Sequence, residues 1–144
     1  MEKQVSEQQI VQMAQQEENA LESKKNFLRK VVSILTDSER TIASLKEIQK
    51  TPKTMYINLG SGVLVEVDAK NSKTCKRAFA ENGYLEEDIE GTVNWLEKKR
   101  ENSKTQLEKI GQDVQSSEKR LNELVGILRQ IEEQKRKEFN ISKK

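Results

Sequence analysis

Apolar residues recur at every seventh position through the first third of the chain. One row consists of Ala14, Leu21, Leu28, Leu35 and Ile42. Its companion row, which is apolar at half of its positions, consists of Ile10, Glu17, Lys24, Val31, Ser38 and Leu45. A stripe this narrow is typical of a coiled-coil seam rather than of the wider apolar face of a globular helix. We therefore predict a first helix over about residues 6–50.

The last third of the chain repeats this pattern. One row consists of Val93, Arg100, Leu107, Val114, Leu121 and Leu128, and the other of Ile89, Leu96, Ser103, Ile110, Ser117, Leu124 and Ile131. We predict a second helix over about residues 88–139. An antiparallel hairpin is the simplest closure, because each seam then finds its partner within the chain. A parallel homodimer of two separate coils is the alternative, and the segment between the helices disfavours it.

That segment is not a flexible linker. The stretch from Pro52 to Gly91 contains the single Pro and four of the six Gly of the chain. Alternating apolar residues on either side of Gly60-Ser61-Gly62 predict a β-hairpin, and Thr74–Ala80 predicts a weaker strand whose pairing stays open. The expected fold is mainly α. It is a long antiparallel coiled-coil hairpin with a small β-hairpin region, about residues 54–84, at the bend, forming a single domain over residues 1–144.

So few strands are not stable in isolation, and their edges carry unpaired N–H and C=O groups. We therefore expect the chain to assemble with other chains through this small sheet. The expected interface residues are Met55, Ile57, Leu59, Val63, Val65, Val67, Cys75 and Ala78.

Composition agrees with long solvated helices. Apolar residues make up 33% of the chain and charged residues 35%, which is too little hydrophobe for a compact globular core. The net charge is only +2, with the two signs interleaved, so a nucleic-acid-binding role is not expected.

The candidate chemistry is sparse. The chain contains no His, which excludes a His-based metal site or general base. Gly60-Ser61-Gly62 lacks the spacing of a phosphate loop, and no nucleophile–base pair is visible, so we expect neither an enzyme nor a bound cofactor. Cys75 is the only cysteine. A single thiol fits a reducing compartment, and without an apolar leader or membrane span we expect a cytoplasmic protein.

The centre of the chain resembles alpha-class prefoldin subunits. Thr51–Val65 is similar to the family's apolar strand, Gly-containing turn and second strand. Gly83-Tyr84-Leu85-Glu86 and Trp95–Arg100 resemble the aromatic Gly turn and the start of the second helix. The strand before Gly83 departs from the family pattern, because it is polar where the family is usually apolar and Gly-rich.

The resemblance implies a subunit of a hexameric, ATP-independent holdase. Two alpha-type and four beta-type subunits would assemble through a double β-barrel, hold unfolded clients at the coiled-coil tips and pass them to a group II chaperonin. The alternative is a structural coiled-coil adaptor in a larger, transcription-linked prefoldin-like assembly.

Both ends of the chain fall at the tip of the expected hairpin. Apolar residues there are candidates for client contacts, although they also serve to complete the seam. The candidates are Val5, Ile10, Val11, Met13, Leu124, Ile127, Leu128, Ile131 and Phe139.

Overall fold

A computed structural model of the chain describes residues 6–50, 54–70 and 73–142. Its elements are α1 (Glu7–Lys50), β1 (Thr54–Gly60), β2 (Val63–Asp68), β3 (Thr74–Ala80), β4 (Gly83–Asp88) and α2 (Ile89–Ser142). The predicted fold class, with two long helices on either side of a small β region, is confirmed. The β region is longer than expected, because β4 continues to Asp88 and α2 begins only at Ile89.

The start of α1 is fixed by a capping box. The backbone N–H of Gln9 donates to the Ser6 hydroxyl at 3.2 Å, and the Ser6 N–H donates to the Gln9 side-chain oxygen at 3.0 Å. Two of the N–H groups that a helix leaves without partners at its start are satisfied in this way. The sequence Ser-x-x-Gln at residues 6–9 therefore specifies where the helix begins.

Internal contacts divide the chain into two units. The first consists of Met1–Val31 and Gln106–Lys144, and the second of Val32–Thr105. Within the first unit, Glu7 pairs with Lys135, and Lys25 pairs with Glu118 at 3.0 Å. As the residue number rises along α1, from Glu7 to Lys25, the number of the partner on α2 falls, from Lys135 to Glu118. The two helix segments of this unit therefore run antiparallel.

The predicted seam is confirmed position by position. Every member of the four heptad rows is buried or half-buried, including the polar members. In the first unit Val31 is 2% exposed and Leu21 7% exposed. Heptad spacing therefore identified which face of each helix is covered, because 3.5-residue periodicity keeps one narrow stripe turned toward a partner helix.

A buried polar contact interrupts the seam of the first unit. The Lys24 ammonium donates to the Ser117 hydroxyl at 2.7 Å, and Ser117 is fully buried. A polar pair at a seam position favours the register in which both groups are satisfied, since any slip leaves a buried group without a partner.

Replacing Ser117 with Ala should destabilise the chain by about 1–3 kcal/mol, because the Lys24 ammonium loses its buried acceptor. Ser116→Ala is the matched control, since Ser116 is an exposed neighbour on the same helix and measures the helix-propensity gain of Ala alone. Urea titration followed by circular dichroism gives both values. Equal midpoints for the two variants would mean that the Lys24–Ser117 contact contributes nothing.

The second unit has a compact apolar cluster where the β region meets the helices. Ile42, Ile89, Val93 and Leu96 form its buried centre, and Leu45, Ile48 and Cys75 pack against it. The Ile89 N–H donates to the Lys73 carbonyl at 2.8 Å, which ties the first turn of α2 to the start of β3.

The four strands form two separate antiparallel hairpins. Hairpin 1 (β1–β2) and hairpin 2 (β3–β4) have the same register, with Thr54 opposite Asp68 and Thr74 opposite Asp88. In hairpin 1 the turn has Gly60 at φ 100° and Gly62 at φ 77°, in a region that favours Gly. Hairpin 2 closes in the same register without the Gly-small-Gly sequence, which resolves the pairing that the sequence left open.

Candidate functional site

One face of hairpin 1 is entirely apolar. Strand alternation and the pairing of Met55 with Val67 and of Ile57 with Val65 bring six apolar side chains to this face. We call it the valine face, and its members are Met55, Ile57, Leu59, Val63, Val65 and Val67. Its outer members are well exposed, from 39% at Val65 to 66% at Leu59. The six residues expected at an interface on hairpin 1 therefore share one surface.

Both hairpins also have outer strand edges. Within residues 54–70 and 73–88, each strand is hydrogen-bonded to a single neighbouring strand, so no second strand from these residues lies along its other edge. Two-stranded hairpins are marginal in water, and exposed edges are surfaces on which another strand can pair. An apolar face beside outer edges is suited to forming a larger sheet with other chains.

The two interface candidates on hairpin 2 lie on opposite faces. Cys75 packs against the apolar cluster of the second unit, and its thiol donates to the Thr92 hydroxyl at 3.3 Å. Ala78 is an odd number of residues away, so it lies on the other face, where it is exposed. The structure does not bring these two residues together into one surface.

A polar cluster fixes the inner face of hairpin 2 against α2. The Arg77 Nε donates to Glu87 Oε2 at 2.9 Å, and the same oxygen accepts the Thr92 hydroxyl at 2.9 Å. The Arg77 guanidinium also lies 4.3 Å from the centre of the Trp95 ring, within the range of a cation–π contact. Glu86 and Glu87 belong to β4, and Glu87 contacts the helix through Thr92.

These contacts determine the protonation of Glu87. The hydrogen bond from Arg77, followed by that from Thr92, holds the pKa of Glu87 below its ordinary 4.5, although partial desolvation acts in the opposite direction. The stabilisation from this carboxylate is therefore present above pH 4.5 and is lost as the pH falls through the lowered pKa. Glu87 is therefore ionised at neutral pH and accepts both hydrogen bonds.

The client candidates fall into three groups. Val11, Met13, Ile127 and Phe139 are exposed, from 42% at Ile127 to 59% at Phe139. Ile10 is buried, and Leu124, Leu128 and Ile131 are half-buried in the seam. Val5 lies outside the described residues. The exposed members are those that lie off the heptad rows.

An open groove of about 510 Å³ runs beside the seam of the first unit. It is lined by Met13, Gln16, Glu17, Ala20, Arg120, Glu123, Leu124 and Ile127. Both helices contribute positions at intervals of three and four, so each presents one continuous stripe. Met13, Leu124 and Ile127 thus share one open surface, with an ion pair between Glu17 and Arg120 on its wall.

The described ranges contain neither a cluster of metal ligands nor a membrane-length apolar helix. No group of three or more His, Cys, Asp or Glu residues in this part of the chain is placed to hold a metal ion. Among the same residues, no helix has an apolar stretch of the length that a membrane crossing requires.

Comparisons with known proteins point to one family. The sequence model described as "Prefoldin subunit" matches residues 14–134. A solved structure, the cryo-EM structure of filamentous PFD from Methanocaldococcus jannaschii, is similar with a TM-score of 0.63 and 15% sequence identity. The similarity covers 78% of this chain and 95% of that one. At this identity the likeness concerns the fold. No curated protein sequence gave a significant match.

Proposed function

We propose, since this chain belongs to the prefoldin family, that it is an alpha-class subunit of an ATP-independent holdase. In this proposal two copies of the chain assemble with four beta-type subunits, and the complex captures unfolded clients and delivers them to a group II chaperonin. The valine face of hairpin 1 is the observation that carries the proposal. An apolar surface with exposed strand edges is costly in an isolated chain and is explained by burial in a larger sheet.

The two-hairpin β region supports the alpha class. The resemblance at Thr51–Val65 and Gly83–Glu86 is to the alpha-class centre. The described part of the first stretch, from Thr54 onward, lies in hairpin 1, and the second stretch lies in hairpin 2. Two hairpins give a subunit four outer strand edges, so one chain can join two neighbouring subunits into a common sheet. Such a subunit is suited to linking beta-type subunits in a closed ring.

The groove of the first unit supports client capture near the helix ends. Met13 is 50% exposed and Ile127 42% exposed, so both have apolar surface to bury against an unfolded chain. Full burial of such a side chain contributes about 1.5–3 kcal/mol, and roughly half of that remains available here. Individual contacts of this size are weak, but several subunits acting on one client gain from effective concentration.

No step of this function needs a cofactor or nucleotide. The family is not a family of enzymes, and apolar capture depends only on the burial of surface. We place the protein in the cytoplasm, where unfolded chains and a chaperonin partner meet.

Co-expression with beta-type prefoldin subunits tests the proposed assembly. We expect native mass spectrometry to find a hexamer with two copies of this chain. A chain that stays alone or assembles only with copies of itself would contradict the alpha-class assignment. Recovery of the chain only within a larger, transcription-linked complex would favour the adaptor function.

A further inference from the structure

The two hairpins have the same strand pairing but carry different side chains. Their registers match with a shift of twenty residues, from Thr54↔Asp68 to Thr74↔Asp88. At equivalent positions Ile57 of hairpin 1 is replaced by Arg77, and Val67 by Glu87. The face that is wholly apolar in hairpin 1 therefore carries an ion pair in hairpin 2, beside Leu85 and Phe79, which are 43% and 73% exposed.

The surroundings of the two equivalent faces also differ. The Arg77 and Glu87 side chains are 20% and 26% exposed, because they lie against α2 and meet Thr92 and Trp95. On hairpin 1, by contrast, the described side-chain hydrogen bonds stay within the hairpin. The Thr54 hydroxyl donates to the Asp68 carboxylate, and the Gly60 N–H donates to the Asn58 side-chain oxygen.

We propose that Arg77 anchors hairpin 2 to α2 of its own chain, so that the valine face of hairpin 1 is the wholly apolar hairpin face left for a partner subunit. The nature of that partner rests on the proposed function, whereas the anchoring concerns this chain alone. Arg77 is a positioning residue, and it acts by fixing the hairpin to the helix.

An arginine suits this position for a geometric reason. Its planar guanidinium stacks on an aromatic ring and at the same time donates in its own plane to a carboxylate. Arg77 makes both contacts, with Trp95 at 4.3 Å and Glu87 at 2.9 Å. A lysine retains the charge but not the planar fork, so Arg77→Lys should hold the hairpin less firmly than arginine and more firmly than alanine.

The chain carries two natural probes of this contact. Cys75 is its only cysteine and Trp95 its only tryptophan. The half-buried Cys75 thiol lies between hairpin 2 and the apolar cluster, so a thiol reagent reaches it faster when the hairpin lifts from the helix. Trp95 loses its closest cation in the same event.

The test is the rate of Cys75 labelling in the folded, isolated chain at neutral pH. We expect Arg77→Ala to raise the rate by roughly tenfold and to shift the Trp95 emission, with Arg77→Lys between alanine and wild type. Lys76→Ala is the matched control, because Lys76 is an exposed neighbour on the opposite face, and it should leave the rate within about twofold of wild type. An unchanged rate in Arg77→Ala would overturn the anchoring.

A second pair of measurements assigns the two hairpins their roles. Val65→Asp, on the valine face, should leave Cys75 labelling unchanged, and adding beta-type subunits to the wild-type chain should slow it by less than about twofold. Strong protection of Cys75 by a partner would show that hairpin 2 also offers its inner face, and would overturn the proposal. If wild-type chain binds no beta-type subunit at all, the proposed function fails, while the Arg77 variants still decide the anchoring.

Discussion

Replacing Val65 with Asp should abolish assembly of this chain with its partner subunits while leaving helix content almost unchanged. Val65 lies at the middle of the valine face, opposite Ile57, and is 39% exposed in the isolated chain. A carboxylate at this position has ready access to water until a partner covers it, and its burial without a counter-charge then costs several kcal/mol. The penalty therefore falls on assembly rather than on folding.

Leu64→Asp is the matched control for this prediction. Leu64 is the adjacent residue on the same strand, it is 59% exposed, and strand alternation places it on the opposite face. Size-exclusion chromatography with light scattering should find the full complex with Leu64→Asp and only the free chain with Val65→Asp. Circular dichroism should be the same for both variants. A full complex with Val65→Asp would mean that the interface does not involve the valine face.

Sequence reasoning succeeded where the structure depends on periodicity. Every position in the heptad rows is covered on its helix, including polar members such as Lys24 and Ser117, because the seven-residue repeat keeps these positions on one face. Thr92 is buried although it lies off the rows, since it meets hairpin 2. The valine face was predicted for the same reason, since strand alternation is also a local property.

Contacts between hairpin 2 and α2 could not be predicted in this way. Arg77 meets Trp95, and Glu87 meets Thr92, only because the hairpin packs on the first turns of the helix. No spacing rule links a strand residue to a helix residue of this kind. The sequence signal for this contact was the presence of Arg77 and Glu87 where hairpin 1 has apolar residues, together with Trp95 outside the heptad rows. The expected interface also included both Cys75 and Ala78, although strand alternation places them on opposite faces of β3.

The second large effect concerns the groove of the first unit. Changing both Met13 and Ile127 to Asp should remove client protection, because the groove then presents two carboxylates where an unfolded chain would bury apolar side chains. Both positions are about half exposed in the native chain, so the helices should tolerate the change. Phe27→Asp is the control, since Phe27 is 51% exposed on α1 and does not line the groove.

The decisive measurement is light scattering after a denatured client is diluted into the co-assembled complex in the absence of nucleotide. We expect complexes that contain wild-type chain or Phe27→Asp to suppress aggregation, and the complex with Met13→Asp and Ile127→Asp to lose most of this suppression. Native mass spectrometry on the same samples checks that all three are fully assembled. Undiminished protection by the assembled double variant, or protection by wild type only when ATP is added, would contradict the account.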